Sequence, residues 1–273
     1  MLRKIQICLL AGAVSVAAIS CKKSEKTPEQ SQATVSQNVL DKIEQLGFSS
    51  ENVRMHDGGY LVEGDILLTN ENLKSDPNSP NLRIAEDEQY RTTNLVTGLP
   101  RVITVSVTNL TAPYSQAADV AIARYNQQNL RITFQRVSSN GNINIIGFNE
   151  GPSGGYITLG SAGFPTSTGN PYNEIQMNTN DAAYGSNPDV NYLASVLTHE
   201  MGHCIGFRHT DYMARQYSCG GRRKVNEGTA GVGAILIPGT PSQPDAESWM
   251  LACSNGGNRL FNANDVIALN YLY

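Results

Sequence analysis

An α/β (α+β) fold is expected for this 273-residue chain, and three features of the sequence point to it. From residue 98 onward, segments with the strand period are interleaved with one that repeats in the helix period: "RVITVSV", "YSQAADVAIARYNQQN", "RITFQRV" and "INIIGF". A second helix is expected from "SNPDVNYLASVL", where Leu193, Val196 and Leu197 stand three and four apart and turn one face to a core. The chain closes in "NANDVIALNYLY", a capped amphipathic helix whose Val266, Leu269, Tyr271 and Leu272 are expected to pack back on the domain.

The elements before residue 98 are of a different kind. "MLRKIQICLLAGAVSVAAISC" places Arg3 and Lys4 ahead of an apolar run from Ile5 to Ile19, which is the pattern of a secretory signal over residues 1–20. The run is shorter than the roughly 20 residues that a membrane anchor needs. Small residues before Cys21 resemble a bacterial lipobox, which implies lipid attachment at Cys21 and an exported lipoprotein of the outer membrane or cell surface, touching the membrane only through that lipid. Residues 21–38 are polar, without period, and read as a disordered tether. A short helix ("VLDKIEQLGF"), a strand ("GGYLVEGDILLT") and a charged, Asn- and Pro-rich linker from Asn70 to Thr93 complete an N-terminal piece, 39–97, ahead of a main domain at 98–273. Gly-rich loops are expected around "GYITLGSAGFP" and "EIQMNT".

Charge and cysteine content narrow the possibilities. Without residues 1–20 the chain holds 18 Lys+Arg against 24 Asp+Glu, a formal charge of −6, which gives no footing for a nucleic-acid partner. Cys8 leaves with the signal, so Cys204, Cys219 and Cys253 remain in the folded part. An exported protein can keep one disulfide. Cys219 and Cys253 both lie in loop-like sequence and are the expected pair, leaving Cys204 as a small buried hydrophobe.

Three of the four histidines fall within "LTHEMGHCIGFRHTD". His199 and His203, four apart, stand on one helix face, so both imidazoles can reach one ion. Asn187 or Asp189 can cap this helix, and Gly206 can end it in a left-handed turn that brings His209 round as the third nitrogen ligand. Three protein ligands plus a water describe a catalytic Zn2+ rather than a closed structural site. Glu200 then stands beside the bound water as general base, taking its proton and passing it to the leaving amine. His56, alone in "RMHDGGY", is expected in a solvent-facing turn.

"HEMGHCIGFRH" resembles the zinc-binding consensus of the metzincin metallopeptidases, and "HEMGHCIGFRHTD" is similar to the dual-action HEIGH metallopeptidase family (M57-like). "ESWMLAC" resembles the metzincin Met-turn, which implies that Met250 packs beneath the imidazoles. The resemblance covers about residues 98–273. It implies a metzincin-type catalytic domain: a twisted, mostly parallel sheet over an active-site helix, with a small C-terminal subdomain that holds the Met-turn and the terminal helix. It also implies a substrate-binding edge strand, placed here at Tyr156 to Gly163. Where astacins and serralysins carry a metal-reaching tyrosine two residues after the Met-turn methionine, this chain has Ala252. Asp211, two residues past His209, is expected to be a hydrogen-bonding strut.

"LVEGDILL" resembles the FxGD element of astacin pro-segments, which implies that Asp65 ligates the zinc of an uncleaved, latent precursor. An activating protease would then cut near Arg83 or Arg91. The alternative is a strand or hairpin of a small N-terminal domain. At the level of function the expectation is a zinc endopeptidase acting on protein or peptide, with a cell-wall peptide as a variant. A non-catalytic surface-binding lipoprotein with a structural zinc is the alternative, and Glu200 speaks against it because a bracing site has no use for that carboxylate.

Overall fold

Ile103 and Val105, Ile143 and Ile145, and Ile175 and Met177 alternate with polar neighbours along three segments, and all six side chains are buried. A pleated strand sends alternate residues to one face, and these six form the floor of the main core. In the computed structural model, residues 35–46, 48–56, 58–70, 72–74, 89–153, 155–220, 226, 233–241 and 244–273 are described. The expected signal, Cys21 and Arg83 lie outside them.

Helix α1 (Gln37–Gln45) precedes β1 (Arg54–His56), β2 (Gly59–Val62), β3 (Ile66–Thr69) and the short β4 (Tyr90–Arg91). There follow β5 (Arg101–Val107), α2 (Ala112–Asn126), β6 (Ile132–Arg136), β7 (Ile143–Phe148), β8 (Gly160–Ala162) and β9 (Glu174–Asn178). The C-terminal third holds α3 (Asp181–Tyr184), α4 (Val190–Ile205), α5 (Gln216–Cys219), β10 (Ile235–Leu236) and α6 (Ala263–Leu272). One eight-stranded sheet has the order β1-β2-β3-β8-β9-β7-β5-β6, and β4 pairs with β10 in a separate ribbon. β6, β5, β7 and β9 run parallel; β8 is antiparallel to β9, and β3 is parallel to β8. The architecture is thus a mixed α/β fold with a mostly parallel centre.

Helices α2 and α4 lie together against the floor of that sheet. Ala117, Ala118 and Ala121 of α2 are fully buried, and these short side chains let α4 approach closely with Leu193, Leu197 and Met201. The C-terminal helix is closed by a capping box: the Asn262 side chain accepts from the Asn264 and Asp265 amides, while Asp265 accepts from the Asn262 amide. Its buried residues are Asp265, Ala268, Leu269 and Leu272, and Tyr273 follows them into the core. Tyr271, expected inward, is 54% exposed, because a 3.6-residue repeat that buries 265, 268, 269 and 272 turns 271 outward.

Of the strand and the hairpin expected for "GGYLVEGDILLT", the hairpin forms, since Glu63 and Gly64 take positive φ (57° and 97°) and reverse the chain. Three further expectations change. "EIQMNT" is the central strand β9 and not a loop; its inward Ile175 and Met177 are both fully buried. Gln89 and Tyr90 are buried, so the main domain has begun by Gln89 and the linker ends earlier than Thr93. His56 sits in β1, its side chain only 9% exposed, hydrogen-bonded to Gln176 on the face of β9 opposite Met177. The curl of β1 over the sheet's other face covers it.

Candidate metal centre

The helix that carries the first two histidines is fixed at both ends. Asp189 accepts from the Tyr192 amide at its start. Gly206 ends it with φ 109°, where an added Cβ would lie 2.7 Å from Leu95 Cδ2 and 3.1 Å from the Asn94 carbonyl. Beyond that bend the Arg208 amide donates to the Tyr90 carbonyl and the Thr210 amide to the Met250 carbonyl, so His209 is gripped on both sides.

Asp65, His199, His203 and His209 offer ligand atoms that all lie within 4.8 Å of one another. His203 Nε2 and His209 Nε2 are 3.2 Å apart, and Asp65 Oδ2 lies 3.1 Å from His209 Nε2 and 3.6 Å from His199 Nε2. The outer nitrogens are spoken for: His199 Nδ1 lies 2.9 Å from the Trp249 carbonyl and His203 Nδ1 2.9 Å from that of Phe207. A carbonyl accepts only, so each Nδ1 carries the proton and each Nε2 turns a lone pair inward. His199 Nε2 and Asp65 Oδ1 are buried with no hydrogen-bond partner. Buried lone pairs converging in this way need a cation, and three imidazoles with one carboxylate are a donor set that fits zinc.

Electrostatics agree with that reading. Burial lowers His203, and the neighbouring His199 and His209 lower it further, so its ring is neutral and free to ligate. Burial pushes Asp65 upward, but the facing imidazoles, His209 first, outweigh it and hold the carboxyl well below its ordinary range. Asp65 is delivered by the β2–β3 turn. Gly64 in that turn has φ 97°, and an added Cβ would meet Arg215 Nη2 at 3.1 Å.

Glu200 is buried, and its Oε2 has no hydrogen-bond partner. Burial first, and the Asp65 charge second, push its carboxyl well above the usual range, as suits a group that must hold a proton. It packs against β8 at Gly160, where an added Cβ would be 3.0 Å from Glu200 Oε1. Met250 is fully buried beneath the helix, and its Sδ would be 2.6 Å from a Cβ at Gly202. The middle glycine of "HEMGHC" therefore leaves room for the methionine. Asp211 Oδ1 accepts from the Ala252 amide (2.9 Å), and Oδ2 accepts from the Ser218 amide and hydroxyl (3.2 and 2.6 Å). The Cys219–Cys253 disulfide joins the same two segments, and Cys204 is buried as a free thiol.

The expected edge at Tyr156 to Gly163 contains β8, but its outer side is taken: the Ala162 amide donates to the Asp65 carbonyl at 3.0 Å. Arg91 lies in β4, paired with Ile235 and bridged to Phe207. Several supporting groups escape a reading of residue types alone. The Trp249 and Phe207 carbonyls orient the imidazoles without any side-chain signal, and Phe164 meets the His203 ring edge-on at 5.4 Å. The glycine of "TLGSAG" was the available clue to the space that Glu200 needs.

Two solved structures of myroilysin are similar to this chain. One shows 14% identity over 66% of this chain and 96% of its own, with a TM-score of 0.43. The other shows 17% identity over 66% and 86%, with a TM-score of 0.39. No curated protein matches. The model of the family described as dual-action HEIGH metallo-peptidase matches residues 60–273, and the chain belongs to that family.

Proposed function

We propose that this metallopeptidase is an endopeptidase of proteins or peptides, exported as a lipoprotein through Cys21 and kept latent by Asp65. The observation that carries the reading is the convergence of the Asp65 carboxylate with three imidazoles, of which His199 and His203 turn their Nε2 lone pairs inward. In this reading His199, His203 and His209 hold one zinc. When bound, zinc supplies a Lewis acid that polarises the scissile carbonyl and makes water acidic enough to act near neutral pH. Glu200 takes the proton of the attacking water and hands it to the leaving amine. Gly160 leaves the space in which that carboxylate turns.

Asp65 fills the side of the centre that water must occupy, and β3 fills the side of β8 on which an extended substrate would pair. Activation then needs a cut that frees the hairpin. Arg91 is committed to β4, so the proposed cut falls on the side of Arg83, by a trypsin-like protease. A bracing zinc without catalysis is disfavoured, because it gives no reason to bury Glu200 beside a ligand.

The test is hydrolysis of casein and of cell-wall peptide by residues 22–273, before and after limited trypsin treatment, with zinc quantified. Asp65→Ala is expected to raise the activity of uncut protein at least tenfold, and Glu200→Gln to abolish activity while zinc stays bound. Equal activity of wild-type protein before and after trypsin, with Asp65→Ala no more active than wild type on a short peptide that needs no pairing with β8, would sink the latch. Stoichiometric zinc without hydrolysis in any form would favour the binding-module reading. Loss of palmitate labelling in Cys21→Ser checks the lipid.

A further inference from the structure

Beside the metal centre the N-terminal region inserts an aromatic side chain into a pocket built by the main domain. Phe48 is buried, and its ring stacks over the Arg208 guanidinium with 5.2 Å between Cζ and the ring centroid. Phe164 and Tyr212 flank the same guanidinium at 5.9 and 5.7 Å. Arg208 is itself fully buried, and its Nη1 donates to the Gly233 carbonyl at 3.1 Å. It immediately precedes His209, and Phe164 touches the His203 ring, so the pocket shares walls with the metal centre. Phe48 belongs to the small apolar cluster that includes Ile66, the residue of β3 paired with Ala162 of β8.

The chemistry of this pocket is specific. A guanidinium offers two kinds of surface: an edge of N–H donors for oxygens, and flat faces for rings. Here Nη1 is engaged by a backbone carbonyl, and three rings lie 5.2 to 5.9 Å from the guanidinium carbon. A ring that takes the place of Phe48 keeps the contact with the cation that Phe48 makes. We infer that Arg208, Phe164 and Tyr212 form a substrate subsite for an aromatic side chain, which Phe48 occupies in the uncut protein. The inference rests on the peptidase reading above. A cut beyond the hairpin would release β3 and Phe48 together, opening this pocket beside the β8 edge, and Arg208 would set selectivity at one position of a substrate lying there.

The experiment is cleavage-site profiling by mass spectrometry of a mixed peptide library incubated with trypsin-activated residues 22–273. The expected profile has Phe, Tyr and Trp enriched at least fivefold at one fixed position, with Asp and Glu not enriched there. In Arg208→Gln and, as a second variant that leaves the buried cation in place, Phe164→Leu, the ratio of aromatic to alanine peptides cleaved is expected to fall at least fivefold. Cleavage with a flat profile, or with acidic residues enriched at that position, overturns the inference and leaves the peptidase reading standing. No cleavage of any peptide by zinc-loaded, activated protein removes the peptidase reading and this inference with it.

Discussion

At the scale of single residues, the centre depends on buried groups with close neighbours. Glu200 has Gly160 on one side and the helix on the other. Replacing it by Gln keeps the shape and removes the base, so kcat is expected to fall about 10²–10⁴-fold with zinc retained, by single-turnover assay and metal analysis. Asp211 accepts from three donors and ties the His209 loop to Ala252 and Ser218. Truncation to Ala leaves part-buried amides without this acceptor and is expected to cost roughly 1–3 kcal/mol in urea denaturation. Trp249, the one tryptophan, is buried and gives its carbonyl to His199, so its fluorescence is expected to change on unfolding and on addition of zinc.

At the scale of elements, helix ends carry the argument. Gly206→Ala puts a Cβ into Leu95 and the Asn94 carbonyl at a left-handed φ, and a loss of about 1–3 kcal/mol is expected by thermal denaturation. In the capping box of α6, Asp265 is pushed up to about 6 by burial, although Asn262, Trp249, Ser248 and Gln89 all donate to it. Between about pH 4 and 6 the folded protein therefore holds a proton that the unfolded chain releases. This contribution, on the order of a few kcal/mol, is full below the unfolded value of 3.8 and is lost as pH rises through 6. Stability measured in that window is expected to fall with pH, and Asp265→Asn to flatten the slope. The strands β5, β6 and β7, both principal helices of the domain and the histidine spacing could be read from the chain, because period and caps are local signals. The central place of "EIQMN" and the burial of Gln89 could not, since each depends on contacts far along the chain.

At the scale of the whole molecule, a covalent link ties segments far apart in sequence. The Cys219–Cys253 bond closes a separation of 34 residues. Its removal by Cys219→Ser with Cys253→Ser is expected to cost roughly 3–4 kcal/mol by urea denaturation. A metal that binds only the folded chain adds stability by mass action, so chelation is expected to lower Tm by several degrees, and Asp65→Ala to reduce that difference. The pairing of β3 with β8 has one more consequence. A chain that sheds its hairpin exposes a raw sheet border whose amides and carbonyls invite any extended neighbour, including another copy. The hairpin is thereby a guard of colloidal stability: light scattering is expected to rise with concentration once it is lost, and a bound peptide to suppress the rise.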